Sequence, residues 1–103
     1  MRLTHIEHAV LSGMVTRHFG AGCDLYLFGS RIHDDLRGGD IDLLVDLRVN
    51  TNGSDSDLFQ KKLHCLTDIH FKLGEQKIDM IISCGPHDKR VIVQAARQQG
   101  IRL

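Results

Sequence analysis

Asp40 and Asp42 stand two residues apart in Asp40-Ile41-Asp42-Leu43-Leu44-Val45-Asp46, a run that alternates as a β-strand does. Alternation sends Ile41, Leu43 and Val45 to one face and Asp40, Asp42, Leu44 and Asp46 to the other. The first two carboxylates therefore point the same way, with Cα atoms roughly 6.6 Å apart. At that spacing they can converge on cations about 3.5–4 Å apart, the separation of two-metal sites. Asp79 lies between Ile78 and Met80 in a later apolar run, residues 78–82. An unpaired carboxylate in such a run is costly, so its presence asks for a charge partner. If the two strands are neighbours, Asp79 is the third ligand. Three acidic groups on one face repel one another without a cation. Hard oxygen donors in that number suit Mg²⁺ or Mn²⁺ rather than Zn²⁺, and such a site leaves coordination positions for water and substrate phosphates.

A phosphate-binding bend precedes these carboxylates. Gly29 closes the apolar run Leu25-Tyr26-Leu27-Phe28, where a missing side chain lets backbone approach a ligand. Ser30 would open a helical turn whose free N–H groups and dipole favour an anion, and its hydroxyl adds a donor. Arg31 and Arg37 can neutralise phosphate charge, and Arg37 precedes Gly38-Gly39, a turn leading back to Asp40. Taken singly these signals are weak. A D-x-D pair is commonly solvated alternation on an open sheet face, and Gly-Ser is commonly a turn. Their combination is more specific. Gly-Ser ends one apolar strand, nine residues intervene, D-x-D opens the next strand, and a third Asp follows inside a later one. Phosphoryl or nucleotidyl transfer needs that juxtaposition of phosphate cradle and metal site.

The elements that must position these groups follow from periodicity. Leu3, Ile6, Val10 and Met14, widened by Leu11 and Val15, predict a helix over about residues 3–18, ended by Gly20 and Gly22. Residues 25–28 form a buried strand and residues 40–46 the clearest strand. Residues 50–56 are a loop by composition. Asp57 with Gln60 resembles a helix N-cap pair, and Phe59, Leu63, Leu66, Ile69 and Leu73 mark the helix that Gly74 ends. Residues 78–82 are the third strand. Pro86 suits the first turn of a last helix with Val91, Ile92, Ala95 and Ala96 as its apolar stripe and Gly100 as its stop. The expected fold class is α/β, a small mixed sheet with helices packed on one face, so that the helix-free face carries Asp40, Asp42 and Asp79.

Composition narrows the classes. The chain has 103 residues, one domain's worth, with 42% hydrophobic and 25% charged residues. Thirteen basic and thirteen acidic residues cancel, which argues against a free-standing nucleic-acid binder. Cys23, Cys65 and Cys84 are odd in number and far apart, the pattern of reduced thiols in a cytoplasmic protein rather than a secreted disulfide framework. No apolar run approaches the ~20 residues of a membrane span. The seven histidines, among them His5 and His8 at i, i+3, form no recognisable zinc ligand set.

Tyr26-Leu27-Phe28-Gly29-Ser30-Arg31 followed by Arg37-Gly38-Gly39-Asp40-Ile41-Asp42-Leu43-Leu44-Val45 resembles the minimal nucleotidyltransferase family of the DNA polymerase β superfamily. Ile78-Asp79-Met80-Ile81-Ile82 is similar to its third-carboxylate strand, and the segment Ala95-Ala96-Arg97-Gln98-Gln99-Gly100-Ile101-Arg102-Leu103 to its closing helix and tail. The likeness covers about residues 20–103, with a shorter interval between Gly-Ser and D-x-D than in many relatives. The resemblance implies a polymerase β-like palm fold in one domain spanning residues 1–103. It implies that Asp40 and Asp42 bind Mg²⁺ (Mn²⁺ as a substitute), that Asp79 completes the site and deprotonates the nucleophile, and that Gly29 and Ser30 contact the nucleotide phosphates. The activity it implies is transfer of AMP from ATP to a hydroxyl of a protein or other acceptor. It also implies a small helical partner of the HEPN type, the transferase acting as antitoxin by adenylylating the toxin. The rival expectation is a non-catalytic module that binds nucleotide or neutralises a partner by contact. Self-association of the chain stays open.

Overall fold

The computed structural model describes residues 3–29, 40–49, 56–74 and 76–103. Ser30, Arg31 and Arg37 therefore lie outside the described residues, as do residues 50–55 of the loop expected over 50–56, whose last residue, Ser56, instead begins a helix. Helix α1 spans His5–Phe19. A capping box starts it: the Glu7 amide donates to Thr4 Oγ1 at 3.0 Å and the Thr4 amide to Glu7 Oε1 at 2.9 Å. Strand β1 (Cys23–Phe28) and strand β2 (Ile41–Leu47) follow, then α2 (Ser56–Leu73), β3 (Ile78–Ile82), α3 (Val91–Gln99) and a two-residue β4 (Ile101–Arg102).

The sheet order is β3-β2-β1-β4. Strand β2 pairs antiparallel with β1 and parallel with β3; the parallel pair needs a crossover, which α2 supplies. Strand β4 adds antiparallel to β1, Leu27 facing Ile101 and Tyr26 facing Arg102. Gly100 makes this short return feasible, because a Cβ there would sit 3.1 Å from the Leu27 carbonyl oxygen and 3.3 Å from Tyr26 Cβ. The sheet is therefore mixed and the architecture α/β, as expected from the sequence, with β4 an addition too short for periodicity to reveal.

The placement of the helices differs from the expectation. Leu11 and Val15 of α1 and Cys65 and Ile69 of α2 pack on Leu25, Leu27, Ile41, Leu43, Val45, Ile78 and Met80. Val93 and Ala96 of α3 instead pack on Leu44, with Tyr26, Phe28 and Ile81 around them. Helices thus cover both faces, and the face carrying the aspartates is not helix-free. Leu44 is the reason. An apolar residue in the middle of an acidic face must be covered, and Leu44 is completely buried. With Ile41, Leu43 and Val45 buried as well, β2 is enclosed on both sides, as expected for the strand with a parallel neighbour.

Several register details also shift. Pro86 sits in a turn ahead of α3 rather than in its first turn, and the buried residues of α3 are Val93 and Ala96, while Val91 and Ile92 are exposed. Helix α2 begins at Ser56, so Asp57 falls in its first turn rather than at an N-cap. Phe59 and Leu63 of α2 and Ile6 of α1 face outward. The three cysteines are free thiols. Burial, and to a lesser extent the Asp68 charge, pushes the Cys65 thiol up to about 12, so it stays protonated at neutral pH. Among the described residues no helix is long and apolar enough to cross a membrane.

Candidate functional site

The strand registers bring the acidic residues to one end of the sheet. Asp42 is the direct partner of Phe28 across β1–β2 and of Asp79 across β2–β3. Because β2 and β3 run parallel and the two residues share a register position, their side chains rise from the same face of adjacent strands, about 4.8 Å apart in strand spacing. The Asp79 charge is near enough to bear on the Asp42 carboxyl. Partial burial, then the charges of Asp79 and Asp40, push the Asp42 carboxyl above its ordinary range, and Lys77 opposes the rise.

Gly29 closes β1 beside this pair with φ +76°. An alanine Cβ there would lie 3.2 Å from Asp42 Cγ and would run into Asp42 Oδ2. The glycine is needed twice over: the left-handed backbone costs a residue with a Cβ about 1–2 kcal/mol, and the space is filled by the carboxylate. The sequence signal that Gly29 permits close approach is thus realised toward a side chain of the neighbouring strand.

Asp40 stands just before β2. Its Oδ2 pairs with Lys77 Nζ at 3.3 Å, and the Ile41 amide donates to the Lys77 carbonyl at 3.0 Å, which fixes the lysine backbone beside it. The Asp40 carboxylate, with the other two behind it, holds the exposed Lys77 ammonium above its ordinary range. Lys77 was not singled out by motif reasoning. Its place at the site follows only once the β2–β3 register is known, although its position two residues before Asp79 was a signal in plain view.

A cavity of about 560 Å³ opens over this end, lined by Phe28, Asp42, Lys62, Asp79, Ile81 and Ile92 among others. That volume lies in the range of small-ligand pockets. Its walls come from β1, β2, β3, α2 and α3, so α3 forms part of the enclosure instead of lying behind the sheet.

Asp46, which alternation puts on the same face, and the other paired charges lie elsewhere. Asp46 is held by Arg97 through two contacts, Nε–Oδ2 at 3.0 Å and Nη2–Oδ1 at 2.8 Å. Arg90 grips Asp88, whose carboxylate also accepts from the Cys84 and Arg90 amides. Arg102 and Arg48 both reach Asp24 at 2.8 Å. The C-terminal arginines are therefore matched to carboxylates rather than presented as a basic surface. His18 pairs with Asp68 at 2.6 Å, joining α1 to α2.

No protein-family model, curated protein or solved structure matches this chain. The fit of the site to a hard divalent cation rests on its own donors. Asp42 and Asp79 form a carboxylate pair whose mutual repulsion a cation would relieve. Asp40 is close enough to add to that repulsion but is turned to Lys77. Among the described residues no group of three or more His, Cys, Asp or Glu side chains comes together as a cation-binding set. Two adjacent carboxylates are oxygen donors of the kind a hard cation takes, while Asp40 is paired with Lys77.

Proposed function

We propose that the chain is a nucleotidyltransferase core of the polymerase β type, transferring AMP from ATP to a hydroxyl of an acceptor. The observation that carries this reading is the in-register pairing of Asp42 with Asp79 across parallel strands, next to the bend at Gly29. A Mg²⁺ or Mn²⁺ ion held by Asp42 and Asp79, joined by Asp40, would neutralise charge developing on the transferred phosphoryl group. Asp79, exposed at the sheet margin, accepts the proton of the acceptor hydroxyl. The acceptor oxygen bonds to the α-phosphorus, the bond to the β-phosphate bridge breaks, and pyrophosphate leaves. Ser30, Arg31 and Arg37, from the segment after Gly29, serve the phosphates in this reading. Ile92, exposed on the cavity wall, and the exposed Phe59 and Leu63 of α2 supply apolar surface that suits a protein acceptor, consistent with a helical HEPN-type partner and an antitoxin role.

The test is transfer of label from α-labelled ATP, with Mg²⁺, to a helical partner protein. The wild-type chain labels the partner and the Asp40→Ala, Asp42→Ala double variant does not. Labelling that survives the double variant overturns the assigned chemistry. One observation favours a second reading, a nucleotide-binding or partner-neutralising module without turnover: Asp40 is engaged by Lys77 rather than grouped with the other two carboxylates. Under that reading, ATP raises the melting temperature equally with and without Mg²⁺, and no acceptor is labelled.

A further inference from the structure

Two described lysines stand at this end of the sheet: Lys62 lines the cavity with Asp42 and Asp79, and Lys77 pairs directly with Asp40. The Lys77 carbonyl accepts the Ile41 amide at the start of the β2–β3 pairing, so its Cα is fixed by the sheet and not by a loop. Two residues further on, Asp79 faces Asp42. The side chain reaches across to Asp40 Oδ2 at 3.3 Å, and its charge is felt by Asp40, then Asp79, then Asp42. The stem is otherwise free: the side chain is 72% exposed, against 38% for Asp40. A compact ammonium on a flexible four-carbon stem can leave a pairing of this kind for water at little cost.

We propose that Lys77 is an internal counter-ion that stands in the charge position of a divalent cation, pairing with Asp40 until a cation draws Asp40 into line with Asp42 and Asp79. The inference rests on the reading of these carboxylates as a cation site and adds the device that regulates its loading. Without a cation, the lysine offsets part of the repulsion among the aspartates. With one, the same ammonium competes for Asp40 and repels the incoming charge. The lysine therefore weakens cation binding while holding the ligand cluster together.

The experiment is calorimetric titration of the whole chain with Mn²⁺ alone, for wild type, Lys77→Met, Lys77→Arg and Lys89→Met, the last removing an exposed lysine elsewhere. The inference requires Lys77→Met to bind Mn²⁺ about two- to fivefold more tightly than wild type, the size of an exposed ion pair expressed as affinity. Lys77→Arg, which keeps the charge, stays within about twofold of wild type, and so does Lys89→Met. Equal affinity in wild type and Lys77→Met, with Mn²⁺ bound by both, overturns the counter-ion role and leaves the cation site standing. Weaker binding by Lys77→Met overturns it as well, because the lysine would then be holding Asp40 for the cation. If none of the four chains binds Mn²⁺, the cation-site reading falls and this inference falls with it.

Discussion

The two ends of the sheet face under α3 are built from the same residue type and treat it in opposite ways. At one end Asp24, Asp46 and Asp88 are met by Arg48, Arg90, Arg97 and Arg102. At the other, among the described residues, Asp40, Asp42 and Asp79 are met by Lys77. The arginine forks lock their carboxylates at 2.8–3.1 Å, largely out of water, and tie α3 and the turn before it to the sheet. The lysine end keeps its carboxyls crowded and open to a cavity. Full charge matching marks the end that holds the fold together. Surplus charge of one sign marks the end on which the proposed function rests.

That contrast is open to attack by substitution. The largest effect is expected from Arg97→Met. It strands Asp46, which is 14% exposed, and removes one of two hydrogen bonds to each of the Gly85 and Asp88 carbonyls. The expected loss is about 3 kcal/mol, read as a fall in melting temperature of more than about 10 °C. A change below 1 kcal/mol in urea unfolding would mean that this end is not the structural one.

Asp88→Asn should cost less, about 1.5–3 kcal/mol, the worth of charge-assisted hydrogen bonds, and its effect should depend on pH. The Arg90 guanidinium and the amides of Cys84 and Arg90 hold the Asp88 carboxyl well below the usual carboxylate range. Its stabilisation is therefore present above the unfolded carboxyl pKa of about 3.9 and is lost as pH falls below it. Unfolding free energies measured from pH 7 to pH 2 should show wild type and Asp88→Asn converging at the acid end.

Asp42→Asn should give the smallest effect and the opposite sign. The folded pKa of Asp42 is raised, so the cost of its charge appears as pH rises through and above the ordinary carboxyl value. The variant should equal wild type near pH 3 and exceed it in stability at pH 7, by less than about 1 kcal/mol. A destabilised Asp42→Asn at neutral pH would erase the distinction between the two ends.

Much of this was legible in the sequence, and the limits have physical causes. Period-two alternation placed Asp40, Asp42 and Asp46 on one face and Asp79 on one side of its own strand, because side-chain direction in a strand is a local property. Which strand lies beside which is not local, so the Asp42–Asp79 register had to come from the fold. The arginine partner of Asp46 comes from 51 residues away and those of Asp24 from 24 and 78, separations at which no spacing rule operates. The side of the sheet taken by α3 was missed because a helical stripe says that one side is buried and not against which face. Leu44, apolar among aspartates, was the residue that carried the answer. In α3 the stripe itself was misassigned, since Val91 and Ile92 looked as suited to burial as Val93.

Helix α3 gives this arrangement a mechanical side. Ile92, near its first turn, lines the cavity over Asp42 and Asp79, and Arg97, in its last turn, is clamped to Asp46. Five residues of helix span about 7.5 Å. The clamp that fixes α3 to Asp46 therefore fixes the same helix that carries the Ile92 wall of the cavity.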